Sequence, residues 1–318
     1  MFVHRRDLFL PRGGLWIDPA QRRSLAFVSH AHGDHIGRHG RVLATPATGR
    51  ILRHRLGAVP VTELPFGEPY ALPGGGTLSA LPAGHILGSA QLLVEDRGSR
   101  LVYTGDFKLR DNETAEDCEV VPCDELILET TYGRPHYRFP PRSEVVPQLV
   151  DRIETVLQSG GTPTLLAYTL GRSQELLKIL QPFDFSIRLA PPIFSMTKVY
   201  EELGVQFGAF ERALPGQTEG CVLFVPPHAG RSKLVKTAVD PVLIAATGWA
   251  MDGQKGPPYP TDFSYPVSDH ADFDELLEYV ERAQPKVVYT THGFDEFREH
   301  LHHRGIRAHP VESRVSML

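Results

Sequence analysis

The run FVSHAHGDHIG, residues 27 to 37, places His30, His32, Asp34 and His35 within six consecutive positions. Imidazole nitrogens and carboxylate oxygens together suit divalent ions such as zinc, manganese or iron. His30 and His32 are two apart where an apolar strand ends, so they point the same way and can hold one cation jointly. Gly33 lets the chain turn sharply. Asp34 and His35 are then expected to face back from the first turn of a following helix. Donors packed this closely suit a pair of neighbouring cations, an arrangement that activates water for hydrolysis.

One cluster cannot fill two coordination shells, and the same design recurs along the chain. His85 in PAGHILGSAQ follows a strand and has glycine on both sides. Asp106 in VYTGDF ends a strand after a glycine, where a carboxylate can bridge two ions. His292 in VVYTTHGF ends the last apolar strand. Each repeats a strand, then His or Asp, then a turn with glycine close by.

The elements that must position these side chains change in texture along the sequence. Residues 15 to 110 read mostly as strands with short turns, including a hairpin in SAQLLVEDRGSRLVYTGD with its turn at Asp96 to Ser99. ELILET, residues 125 to 130, reads as a short buried strand. From Ser143, a candidate N-cap, helical and strand patterns alternate, with apolar strands such as CVLFVP and PVLIAAT. That alternation indicates a parallel α/β module. The Gly- and Pro-rich segment 253 to 266 reads as a linker or crossing loop. Helix, strand and helix close the chain, too short to be a domain and expected to complete the first one. The expected division is 1–142, 143–260 and 261–318.

The 318 residues are 41% apolar and 22% charged, as in an ordinary soluble protein, and can bury a sizeable core. No apolar run approaches a membrane span, so no membrane partner is expected. The three cysteines, Cys118, Cys123 and Cys221, fit a reducing compartment, and no apolar core of signal length follows the basic pair near Met1. The expected location is cytoplasmic. The net charge of −5 does not exclude an anionic substrate, because two bound cations would change the local balance.

SHAHGDH, GHILGS, YTGD and the late strand-end histidine resemble the metal motifs of the metallo-β-lactamase fold. Asp18 in WIDPA matches that pattern's early aspartate, which orients the ligands. LETTYG places Glu129 at motif A of the nuclease branch, VSDHADF places His270 at motif B, and TTHGF places His292 at motif C. The α/β module between motifs A and B resembles the β-CASP cap, and LLAYTLGRSQELL looks like its opening. The implied fold is α/β: a metallo-β-lactamase αββα sandwich with an inserted β-CASP-type parallel cap. LETTYGRPHYRFP and VSDHADFDELLEYV are similar to the bacterial ligase-associated DNA exonucleases, relatives of Artemis.

The resemblance implies a first metal site of His30, His32 and His85 with Asp106, and a second of Asp34, His35 and His292 sharing Asp106. The implied activity is hydrolysis of DNA phosphodiester bonds by a hydroxide bridging the two metals, in an exonuclease of DNA repair. His270 is the candidate to contact the scissile phosphate or assist the leaving oxygen, with Glu129 holding His270 or a ligand histidine in place. Tyr132, Arg134, Arg138, Arg172 and Ser173 are candidate substrate contacts, since arginine holds phosphate, rings stack on bases, and a helix start offers N–H groups. The implied partner is DNA, single-stranded or with exposed ends, and a ligase and a helicase are implied functional associates. Motif C in the eukaryotic DNA branch is usually valine, and histidine there is typical of RNA-cutting members. An RNA-processing nuclease is therefore the alternative, ahead of a small-molecule metallo-hydrolase or a non-catalytic scaffold.

Overall fold

A computed structural model describes residues 1–110, 112–253 and 256–314. The chain divides into two compact units, residues 1–135 with 270–318, and residues 136–269.

The first unit is built on two sheets. One has six strands in sequence order: Val3–Arg5, Asp7–Leu10, Leu15–Ile17, Leu25–Phe27, Arg41–Ala44 and Val61–Glu63. The other has seven, ordered Ala308–Pro310, Val287–Thr291, Glu125–Glu129, Ser99–Tyr103, Ala90–Asp96, Thr77–Pro82 and Tyr70–Ala71. Strand alternation assigns their faces. Leu92, Val94, Leu101, Tyr103 and Ile127 join Leu10, Leu15, Ile17, Phe27 and Leu43 in one core between the sheets. The alternate residues Leu93, Val102, Leu126, Leu128 and Val288 form a second core with the helices Phe273–Ala283 and Glu296–His303. The helix Pro46–Leu56 joins the strands Arg41–Ala44 and Val61–Glu63. These layers are the αββα sandwich.

The hairpin lies where the sequence indicates. Ala90–Asp96 and Ser99–Tyr103 pair antiparallel around Arg97 and Gly98, both with positive φ. Parallel pairing then aligns strand ends. Glu129 lies opposite Thr291, and Tyr103 opposite Ile127, so the segments leading to Asp106, Glu129 and His292 leave the sheet side by side.

The second unit is a six-stranded, all-parallel sheet ordered Glu211–Arg212, Ile187–Leu189, Val222–Val225, Thr162–Leu166, Pro241–Ala246 and Phe263–Tyr265. The helices Arg142–Gln158, Arg172–Leu180 and Pro191–Glu202 cover one face through Leu149, Ile153, Leu176, Leu177 and Ile193. Phe263–Tyr265 falls in the segment expected to be a linker. Its short parallel pairing with Pro241–Ala246 is masked in the sequence by the surrounding prolines. Gln254 and Lys255 of that segment lie outside the described residues, as do residues 315–318 of the expected closing segment.

The unit boundaries differ from those expected at 142/143 and 260/261. His136 and Tyr137 bond to Asp252 at 3.1 and 2.6 Å, and Asp269 pairs with Arg172, so both flanks belong to the second unit. Ser143 is not an N-cap, because the helix begins at Arg142 with Pro141 in the cap position. Among the described residues, no helix is long and apolar enough to cross a membrane.

Candidate metal centre

The chain after Leu25–Phe27 carries His30, which is fully buried. No helix follows Gly33, contrary to expectation. Residues 33–35 form a turn in which His35 N–H donates to His32 O at 3.3 Å, and this turn brings the His35 ring back towards His30. His85 sits in a loop pinned by Ser89, whose Oγ accepts from His85 N–H at 3.1 Å, and by Asn112, which donates to His85 O at 2.8 Å. Gly84 makes this path available. Its φ is 76°, and an added Cβ would lie 2.1 Å from Lys108 O. Ala271 N–H donates to Phe107 O at 2.7 Å, fixing the His270 segment beside the Asp106 segment.

The result is a convergence of ligand atoms. His30, His32, His85 and Asp106 each offer one atom, all within 4.8 Å of one another. His32 Nδ1 lies 3.1 Å from His30 Nε2 and 3.0 Å from His85 Nε2. Asp106 Oδ2 lies 3.5 Å from His30 Nε2, 3.4 Å from His35 Nε2, 3.9 Å from His85 Nε2 and 4.0 Å from His270 Nδ1. Ligands about 2.0–2.1 Å from a tetrahedral ion stand roughly 3.3 Å apart, so this donor set fits a divalent ion.

Asp18 orients two of the rings. Its carboxylate accepts from Ser29 N–H at 2.7 Å, Ser29 Oγ–H at 2.5 Å, Tyr103 O–H at 2.8 Å and His35 Nδ1 at 2.8 Å. Ser29 gives its proton to Asp18, so its oxygen accepts from His30 Nδ1 at 3.0 Å. Both histidines therefore place a proton at Nδ1 and turn Nε2 towards Asp106, the arrangement by which outer partners orient ligand rings. Glu129 performs the same task for His270. Its Oε1 accepts from Phe107 N–H at 3.0 Å and faces His270 Nδ1 at 3.1 Å, while Oε2 accepts from Thr131 Oγ–H at 2.5 Å.

The electrostatics follow from burial and close charges. Burial, helped by the neighbouring His35, holds His30 well below the usual histidine range, which keeps its inward nitrogen a lone pair. Burial also acts to lower His35, but the Asp106 and Asp18 carboxylates outweigh it and raise the group well above that range. Burial would raise the Asp106 carboxyl, yet His35, His270 and His30 carry it well below the ordinary value. Burial and Asp18 hold the Tyr103 phenol high, so it remains a donor.

Residues 14–158 match the family described as "Beta-lactamase superfamily domain", and residues 263–311 match "Zn-dependent metallo-hydrolase RNA specificity domain". The chain belongs to the metallo-β-lactamase superfamily, in its β-CASP branch. A relative named "Probable DNA ligase" from Opitutus terrae is 39% identical over 305 residues, covering 95% of this chain and 30% of that protein. A ribonuclease of Thermus thermophilus is 31% identical over 193 residues, covering 52% of this chain and 44% of its own length. An "RNase J-like protein" of Methanocaldococcus jannaschii is 35% identical over 116 residues, 36% of this chain and 28% of that one. The chain thus spans less than half of each relative. A solved structure from Enterococcus faecalis, titled as a protein of unknown function, shares the fold with TM-score 0.59 at 16% identity, covering 92% of this chain and 80% of that one.

In this β-CASP chain the second predicted ligand set is more open than the first. Asp34 Oδ2 lies 3.6 Å from His35 Nε2 on an exposed side chain, and the exposed His292 ring stands 5.8 Å from that of His35. The candidate substrate contacts differ in their surroundings within each unit. Tyr132 is buried, its ring 6.1 Å from His270. Arg134 is bonded to Glu296, and Arg138 is exposed. Arg172 is a correction. It is buried, paired with Asp269 and donates to Ala246 O at 2.7 Å and Val267 O at 2.6 Å, so its guanidinium braces the second unit. Ser173 is likewise buried, donating to Tyr168 O at 2.6 Å. Sequence reasoning missed Ser29, Tyr103 and Thr131. Their hydroxyls adjoin the motifs in the strings VSH, VYTGD and ETT, which was the available signal.

Proposed function

We propose that the chain is a metal-dependent nuclease that hydrolyses DNA phosphodiester bonds, acting exonucleolytically in DNA repair. The observation that carries this reading is Asp106, whose Oδ2 faces the imidazoles of His30, His35, His85 and His270 at once. His30, His32, His85 and Asp106 would hold one divalent ion, and Asp34, His35 and His292 would hold a second shared with Asp106. Zinc, manganese and iron all suit this ligand mixture. Bound ions would supply hydroxide at neutral pH and offset charge on the phosphate. Asp18 fixes the inward nitrogens of His30 and His35. Glu129 keeps the His270 proton at Nδ1, leaving the opposite edge of that ring for the scissile phosphate.

A polyanionic substrate is favoured by charge segregation. Arg38, Arg41, Arg50, Arg53 and Arg55 fall in residues 35–62, between Asp34 and Glu63, in a chain of net charge −5, and of these Arg53 pairs with Glu63 at 3.3 Å. Arg55 Nη1 also reaches Ala31 O, between His30 and His32. DNA is favoured by the match along 95% of the chain to a relative named as a ligase, which also supports functional association with a ligase; the helicase rests on the resemblance alone. The ribonuclease-named relatives and His292 support RNA as the second reading. The test is digestion of end-labelled single- and double-stranded DNA and RNA with zinc, manganese or iron in turn. Preferential DNA loss is expected. Preferential RNA loss selects the second reading, and no loss of either with every metal overturns both.

A further inference from the structure

We propose that Arg134 is a positioning residue for the second ion, clamping the loop that carries His292 rather than holding nucleic acid. The proposal rests on the two-ion reading above. His292 has a φ of 54°, a left-handed conformation that a side-chain-bearing residue holds only when its surroundings impose it. It is exposed, so burial of its own ring does not supply that restraint. Its neighbours do. Thr130 Oγ1 donates to His292 O, and Gly293 passes so close that an added Cβ would lie 1.7 Å from Thr130 O.

Beyond Gly293, Arg134 fastens the loop twice. Its Nε and Nη2 both bond Glu296 Oε1, at 3.0 and 2.6 Å, and its guanidinium lies 3.9 Å from the centroid of the Phe294 ring. Arg298 ties the base of the same loop, donating to Thr290 Oγ1 at 3.0 Å and pairing with Asp295 at 2.8 Å. With Nε and Nη2 on Glu296 and its face against Phe294, the guanidinium is held on this loop, and only its remaining N–H groups could meet a phosphate. With Thr130 at one end and Arg134 at the other, the His292 backbone is held in the conformation that directs its ring towards His35.

The test is calorimetric titration of Mn²⁺ into the metal-free full chain, its Arg134→Ala, Arg134→Lys and Phe294→Ala variants, with a thermal melt of each. The unaltered chain is expected to take up two ions. Arg134→Ala should keep the first affinity and weaken the second about tenfold or more, the size of effect that removing a ligand's support produces. Arg134→Lys keeps the charge opposite Glu296 without the planar fork and should fall between. Phe294→Ala should weaken the second ion only. A second affinity within about twofold of the unaltered chain overturns the proposal, as does equal weakening of both ions, which is general destabilisation. Should Arg134→Ala not fold, Arg134→Lys and Phe294→Ala decide by the same criterion. Uptake of a single ion by the unaltered chain overturns the two-ion reading itself, and the proposal with it.

Discussion

Asp18 and Asp106 divide the chemistry of the centre between them. Asp106 faces the inward nitrogens, and Asp18 fixes the outward ones through Ser29 and His35. The two should therefore fail differently. Asp106→Ala removes a proposed ligand, and metal content measured by elemental analysis should fall to near zero. Asp18→Asn keeps the shape but puts an amide against His35 Nδ1. Metal affinity should drop about 10–100-fold with the fold intact, the range seen for outer partners of ligands. Metal affinity unchanged in Asp18→Asn would remove it from the centre. The residues that converge here were legible in the sequence because glycine-flanked strand ends announced His85 and Asp106. The role of Tyr103 was not, since its hydroxyl meets Asp18, far away in the chain. Arg172 was misread because a helix-opening arginine looks the same in sequence whether it meets a phosphate or a buried Asp269.

At the scale of elements, the helix Phe273–Ala283 anchors His270. Asp272 caps it, accepting from Asp274 and Glu275 N–H at 3.0 and 2.9 Å, while Glu275 bonds back to Asp272 N–H at 3.0 Å. Removing such a cap costs about 1 kcal/mol, so Asp272→Ala should lower the urea midpoint by that equivalent. An unchanged midpoint would contradict this role for the cap. Leu276, fully buried between this helix and the sheet, should cost about 2–5 kcal/mol on truncation to Ala. Gly84→Ala meets both a positive φ and Lys108 O. It should lower stability and, by moving His85, metal affinity together; an unaffected affinity would show that the loop gives elsewhere. Many strands and helices were legible from periodicity, but the helix Pro46–Leu56 was not: it lies in the stretch read as strands and turns. Phe263–Tyr265 was not, because a three-residue strand among prolines has no period to read.

Across the whole molecule, two units are threaded by one chain that leaves the first after Pro135 and returns at His270. The insertion was legible from the shift to strand-helix alternation, but its edges were not, since bonds to Asp252 and Asp269 define them. The free thiols offer a check on the packing of both units. Burial pushes Cys118 and Cys123 up to about 12 and Cys221 up to about 11. These native values lie above the unfolded value near 8.5, so their contribution is intact below about pH 8.5 and is lost as pH rises through 11 to 12. At pH near 8, iodoacetamide should label the native chain slowly and all three thiols rapidly in denaturant; rapid native labelling would contradict the packing. Metal binding should stabilise the chain by about 2.7 kcal/mol at a free-ion concentration one hundred times the Kd. The proposal that the converging histidines and Asp106 form a metal centre that cuts nucleic acid calls for bound metal and end-labelled DNA cleavage measured on the same chelator-stripped preparation, before and after metal is restored. Metal and cleavage should disappear together and return together. Full cleavage by the stripped, metal-free chain would contradict it.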